Sequence, residues 1–230
     1  MKPMEPDQLQ QHVYATYRSL RVGIAVIALI FPLLLWFGGA YAGIPLQESM
    51  SAYYHAASGA HTMRDWFTGI LFAVGAFLYL YRGFSWQEDW ALNFAGVFAV
   101  CVAVIPVPWN CSTSCKMVSE HTACAIAFFS CIAYVSLFRA HDTLHLLEDK
   151  KREARFRWTY RVTGALLIAS PLTAVLLALV FMQLKSYVFF AELAGIWAFA
   201  FYWLAKSHEL SITNADHLAL RGLYRPREPG

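Results

Sequence analysis

The sequence predicts an all-α fold, a polytopic membrane bundle of six transmembrane helices with both termini in the cytoplasm. Three observations carry that expectation. Hydrophobic residues make up 58% of the 230 residues and charged residues only 14%, against about 25% charge in an ordinary soluble domain. The apolar residues gather into six runs, each about long enough to cross roughly 30 Å of hydrocarbon at about 1.5 Å per helical residue. The cations, finally, crowd into one set of alternate loops.

The chain opens with a polar segment, 1–21, that reads as an N-terminal cytoplasmic segment. It has no short apolar stretch followed by a small-residue cleavage site, so the first span itself is expected to direct insertion. The six spans are expected at 22–42, 65–82, 90–108, 119–138, 159–182 and 187–205, together forming a 22–205 transmembrane domain. A backbone in lipid must satisfy its own polar groups, so continuous apolar runs of this length are helices. The strands of a barrel would alternate instead. Pro32 and Pro171 fall inside spans and each frees a carbonyl. Gly69, Gly75, Gly96, Gly164 and Gly195 suit close helix packing. Aromatic residues crowd the span ends, as in YLYRGFSWQEDW and FYWLAK, where an interfacial belt is expected. The remaining 206–230 reads as a cytoplasmic C-terminal tail, a short helix or lid with a Pro-rich end.

The loops set the orientation. Arg18 and Arg21 precede the first span, seven Lys and Arg residues from Arg139 to Arg161 flank the fourth-to-fifth connection, and Lys206, Arg221, Arg225 and Arg227 follow the last. The opposite loops hold only Arg64, Lys116 and Lys185. The positive-inside rule then puts both termini in the cytoplasm, and the basic cluster near anionic headgroups. A net charge of +3, with no aromatic-interleaved basic stripe and no finger spacing, argues against a nucleic-acid partner. Membrane lipids are the expected surroundings. Cys101, Cys124 and Cys131 read as small buried hydrophobes. Cys111 and Cys115, in the outer loop PWNCSTSCKM, read as a short-loop disulfide, with a metal pair as the alternative.

One stretch holds most of the candidate chemistry. Residues 49–69, SMSAYYHAASGAHTMRDWFTG, carry His55, His61, Arg64 and Asp65 between the first two spans. Glu120 and His121 start the fourth span from the same side, and Glu192 lies a few residues into the sixth. Ionisable groups at one membrane depth are costly unless paired or facing a cavity. They form either a buried polar network, with Arg64 answering Asp65 or Glu192, or the wall of a site. In a zinc version, His61 and Asp65 share a helix face, His121 joins them, and His55 or Glu192 completes the set. Zinc would lower the pKa of its water, and Glu120 or Glu192 would move protons. His208, Glu209, Asp216 and His217 are excluded from it: sixteen residues of helix, about 24 Å, separate His208 from Glu192. His141 and His145 read as surface histidines.

The elements SAYYHAASGAHTMRDWFTG and LYLYRGFSWQEDWALNFAG resemble a family of small bacterial multi-pass membrane proteins, across most of the chain. That implies the bacterial inner membrane but no activity. Ser51 and His55, a Ser-x3-His element, followed by Asp65, also resemble the ceramidase-like superfamily of membrane hydrolases, which includes alkaline ceramidases and progestin/adiponectin-type receptors. Its late His-x3-His is absent, since the sixth span reads AELAGIWAFAFYW. By this resemblance Ser51 would steady the oxyanion, His55 and His121 would hold zinc, and Asp65 would transfer protons. The leading expectation is thus a small integral membrane protein with an outer-side polar site, a metal-dependent hydrolase of a lipid or amphiphile. Its candidate catalytic residues are Ser51, Asp65, Glu120 and Glu192, and its candidate zinc ligands are His55, His61 and His121. The alternatives are a transporter, channel or sensor that binds a solute or proton, and a non-catalytic structural or assembly protein. A carrier of this length would call for a homodimer.

Overall fold

The computed structural model describes residues 6–59, 61–108, 119–180 and 186–224. Its helices are α1 (Pro6–Leu33), extended by a π-helical turn (Leu34–Gly38) and α2 (Gly39–Tyr41), then α3 (Arg64–Leu80), α4 (Trp86–Val104), α5 (Glu120–Tyr134), α6 (Lys150–Val180), α7 (Tyr187–Thr213) and α8 (Ala215–Leu220). A second π-helical turn (Val135–Arg139) and a 3-10 segment (Ala140–Leu146) follow α5. The described residues are mostly helical, with one small hairpin among them, β1 (Ala57–Ser58) against β2 (His61–Thr62), with Gly59 at φ 58° in its turn.

The six principal helices close a ring in the order α1, α3, α4, α5, α6, α7 and back to α1. Among the described residues four helical stretches are long and apolar enough to cross a membrane: Gln8–Tyr41, Glu120–Leu146, Lys150–Leu177 and Tyr187–Thr213. The other two principal helices fall where spans are expected, but α3 has 17 residues and α4 opens on a polar turn, Trp86-Gln87-Glu88-Asp89. The last helix runs eight residues past the expected 205. The stretch 206–213 is therefore helix, with Lys206 and Glu209 buried, and not the start of a tail.

Local chemistry explains the ends. Ser85 caps α4 by accepting from the Glu88 amide, while the Glu88 carboxylate reaches back to the Phe84 amide at 2.8 Å. This reciprocal arrangement satisfies amides that a helix N-terminus otherwise leaves bare. Ser119 caps α5 in the same way, through Thr122. Pro32 cannot donate to the ladder, and the π-helical turn begins two residues later. There the Trp197 indole of α7 donates to the Leu29 carbonyl at 3.3 Å. Asn214 takes the left-handed conformation (φ 51°) that reverses the chain from α7 into α8, a conformation asparagine tolerates better than most residues.

Gly75, Gly96, Gly164 and Gly195 act as the sequence leads one to expect, each packed too closely against a neighbouring segment to admit a Cβ. A Cβ on Gly96 of α4 would lie 2.6 Å from the Gly75 carbonyl of α3, so these helices touch backbone to backbone. Gly69 does not: a Cβ there meets nothing within 4 Å.

Candidate functional site

The loop between α2 and α3 turns inward over one end of the ring. The Phe189 amide donates to the Glu48 carbonyl at 3.0 Å, and the Met50 amide donates to the Glu192 carboxylate at 2.6 Å, so α7 holds the loop in two places. Ile44, Met50 and Tyr53 are buried beneath it with Phe31, Phe67 and Phe189. A 3-10 turn, Ser51–Tyr54, starts where the loop meets the bundle. It points Ser51 toward α5.

There Ser51 meets His121. The Ser51 Oγ lies 2.8 Å from His121 Nε2, and His121 Nδ1 lies 2.6 Å from the Ile105 carbonyl oxygen. A carbonyl only accepts, so Nδ1 carries the ring proton. In the neutral ring Nε2 is then a bare acceptor, and the Ser51 hydroxyl donates to it. A nucleophile, a base, and a group that fixes the base's tautomer are the parts of an activated serine. The Phe67 ring stacks near His121 with centroids 6.4 Å apart, and His121 is buried.

A cavity of about 230 Å³ opens on this pair. Ser49, Ser51, His121, Thr122, Ser170 and Glu192 supply its polar lining, and Ile126, Phe129, Pro171, Val175 and Val188 its apolar walls. Ser170 also donates to the Ala191 carbonyl at 2.7 Å, tying α6 to α7 beside the cavity. Ser49, Thr122 and Ser170 were not among the expected site residues. The Ser170-Pro171 step inside an apolar run was the available signal.

Of the expected residues, Ser51, His121 and Glu192 come together. The others do not. Asp65 and Glu120 sit exposed in the first turns of α3 and α5, where a carboxylate favours the positive end of the helix dipole. His61 is exposed on β2. His55 is exposed and donates through Nε2 to the Val107 carbonyl at 2.8 Å. Arg64 answers no cavity carboxylate; its guanidinium lies over the Tyr54 ring, 5.7 Å from the centroid. Among the described residues no group of three or more His, Cys, Asp or Glu side chains is arranged to hold a metal ion. Both His121 nitrogens are engaged by other groups, so the donor set His55, His61 and His121 does not fit zinc as it stands. Cys111 and Cys115 lie outside the described residues.

The opposite, basic end of the ring holds a second polar assembly that the sequence reading passed over. Lys206 donates to the Ala140 carbonyl (3.1 Å), Thr143 Oγ1 (2.7 Å) and Glu209 (2.8 Å). Thr143 and Tyr160 donate to the same Glu209 carboxylate at 2.8 and 3.1 Å. All three ammonium protons have acceptors, which is what permits burial of such a charge. Beside it Arg21 pairs with Asp216 at 2.6 Å and reaches the Tyr81 hydroxyl at 3.3 Å. Helices α1, α6, α7 and α8 and the 140–146 segment are joined through these groups. The assembly reads as a structural clamp.

Comparison of the chain with protein-family models, curated proteins and solved structures finds no match.

Proposed function

We propose that the chain is a hydrolase of the bacterial inner membrane, with six spans, and that Ser51 attacks an ester or amide of a membrane amphiphile with His121 as base. The basic end and both termini then face the cytoplasm, and the Ser51 cavity faces the outer side. The 22–205 core is the membrane domain, continued by the end of α7.

Six spans are supported by the outward faces of the two shorter helices. Phe72 and Leu80 of α3, and Phe94, Val97 and Val104 of α4, are exposed, Leu80 at 69%. Contiguous apolar faces of this kind belong against lipid. Exposed aromatics at both ends support the same reading, since such rings suit a bilayer interface: Tyr41 (96%), Trp66 and Tyr187 at one end, Trp86, Trp90 and Trp158 (67%) at the other.

The observation that carries the chemistry is the bond from Ser51 to a histidine whose tautomer the Ile105 carbonyl fixes. As Ser51 Oγ bonds to the substrate carbonyl carbon, its proton passes to His121 Nε2. The bond from that carbon to the leaving oxygen or nitrogen then breaks, and His121 returns the proton to the leaving group. Water, deprotonated by His121, releases the acid and restores Ser51. A neutral carbonyl supports the imidazolium less than a carboxylate does, so a slow enzyme is expected.

The test is covalent. Purified protein in detergent, treated with an alkyl fluorophosphonate, should gain one adduct on Ser51, lost in Ser51→Ala and slowed in His121→Gln. A folded protein with no Ser51 adduct sinks the reading. A second reading, an amphiphile-binding transporter or sensor, is favoured by the helix irregularities at the cavity end, Pro171 and the π-helical turn after Pro32. It predicts saturable amphiphile binding that Ser51→Ala leaves intact, with no turnover.

A further inference from the structure

The cavity at Ser51 does not end there. A second chamber, about 60 Å³, continues into the middle of the ring. Ser51, Ala125, Phe129 and Glu192 line both spaces, so the wall they share is the neck through which one would open into the other. The two spaces differ in kind. Beyond Ser51 and Glu192 the inner lining is wholly apolar, and Phe31, Leu71, Ala99, Val102 and Phe128 within it are buried. The outer space is nearly four times larger and is bounded by partly exposed residues on the flank of the bundle, Ile126, Pro171, Val175 and Val188. That flank is where a lipid would enter.

We infer that the substrate is a short-chain acyl ester of a larger amphiphile. Its acyl group occupies the inner chamber, and its membrane-anchored alcohol portion stays in the outer fissure. This rests on the hydrolase reading above and narrows it. The attacked carbonyl carbon must sit at Ser51, which lies at the neck, so the two sides of the scissile bond are sorted into the two chambers.

Size and polarity give the direction. A water-sized group needs roughly 10–15 Å³ of such space, so the inner chamber takes about four to six heavy atoms. A long fatty acyl chain has three times as many and does not fit. A polar headgroup placed inward would leave its hydrogen-bonding groups unanswered against Phe, Leu and Val side chains, which disfavours it. A short alkyl acyl group meets neither objection. The outer space, with its serines, threonine and lateral opening, accepts the larger and more polar remainder.

The experiment is a chain-length series. Umbelliferyl esters from acetyl to palmitoyl are offered to the wild-type protein and to Ser51→Ala, Leu71→Ala and Ala99→Leu, each checked for monodispersity in detergent. Wild type should hydrolyse acyl groups of up to about six heavy atoms, and lose about tenfold in kcat/KM for each methylene beyond that, the usual penalty when a pocket cannot take one more carbon. Leu71→Ala should move the optimum to longer chains. Ala99→Leu should move it to shorter ones, and either shift suffices if the other variant does not fold. Ser51-dependent hydrolysis that is flat or rising with chain length, or an optimum that ignores both variants, overturns the short-acyl inference and leaves the hydrolase reading standing. Absence of any Ser51-dependent turnover across the series overturns the inference through the hydrolase reading itself, which the fluorophosphonate adduct judges separately.

Discussion

Arg21 on α1 and Asp216 on α8 meet at 2.6 Å across 195 residues of sequence, with the Arg21 side chain wholly out of solvent. The first long helix and the last short one are therefore locked at the basic end of the ring. Removing one partner leaves the other charge buried, which commonly costs about 3–5 kcal/mol. Arg21→Met and Asp216→Asn should each lower the unfolding temperature markedly in detergent. The double variant Arg21→Met/Asp216→Leu should recover much of the loss. A double variant whose loss equals the sum of the two single losses would mean the pair is not coupled.

The glycines give a contrast between two neighbouring helices. Gly96→Ala pushes a methyl group against the Gly75 carbonyl, so α3 and α4 must part and stability falls. Gly69 lies in open space on α3, and Gly69→Ala should stabilise by about 0.5–1 kcal/mol, the ordinary helix-interior gain. Thermal unfolding of the two variants side by side reads opposite signs; the same sign in both would deny the close contact.

His121→Gln keeps a polar side chain but not the base. Hydrolysis, or fluorophosphonate reaction at Ser51, should fall by about 10²–10⁴-fold, the usual range for loss of a general base. Far-UV circular dichroism should be unchanged. A loss below about threefold would reduce the Ser51 bond to a packing contact.

Glu192 holds the loop as well as lining the cavity. Glu192→Gln retains a carbonyl oxygen for the Met50 amide, whereas Glu192→Ala leaves that buried donor bare, at about 1–3 kcal/mol. Hydrogen exchange over residues 48–54 should therefore quicken in the alanine variant and change little in the glutamine one. Equal exchange in both would remove the tether.

Topology is open to a simple measurement. Reporter fusions after residue 224 and within the 140–149 connection should be active on the cytoplasmic side, and one in the 57–62 hairpin on the outer side. The opposite pattern would turn the Ser51 cavity toward the cytoplasm.

Hydropathy set an apolar run on each of the six principal helices, four of which are long and apolar enough to cross a membrane, because such a run satisfies its own backbone only as a helix. It misjudged the end of the last one. Lys206 and Glu209 look like solvated charges along the chain, yet they are three apart on one helix face and answer each other there. Pairing with Thr143 and Tyr160 is a tertiary fact that spacing does not carry. The candidate site was half legible. Ser51, His121 and Glu192 all stand out in the sequence, but there His121 reads as a zinc ligand beside other histidines and Ser51 as an oxyanion donor, not as a hydrogen-bonded pair. What decides that is the inward turn of the loop, fixed by the Glu48 carbonyl and the Met50 amide. Backbone groups leave no trace in residue type. Asp65 and Glu120 looked like catalytic carboxylates for the reason they are where they are: acidic residues favour the first turn of a helix.

The Arg21–Asp216 pair also has a consequence in time. A ribosome makes about 5–20 residues per second, so roughly 10 to 40 seconds pass between the emergence of Arg21 and that of its partner. Through that interval the guanidinium lacks the carboxylate it meets in the folded ring, and burying it would mean burying an unpaired charge. Assembly of the ring is thereby made to wait for the end of translation, and a chain truncated before α8 would carry a lasting mark of incompleteness for membrane proteases to read.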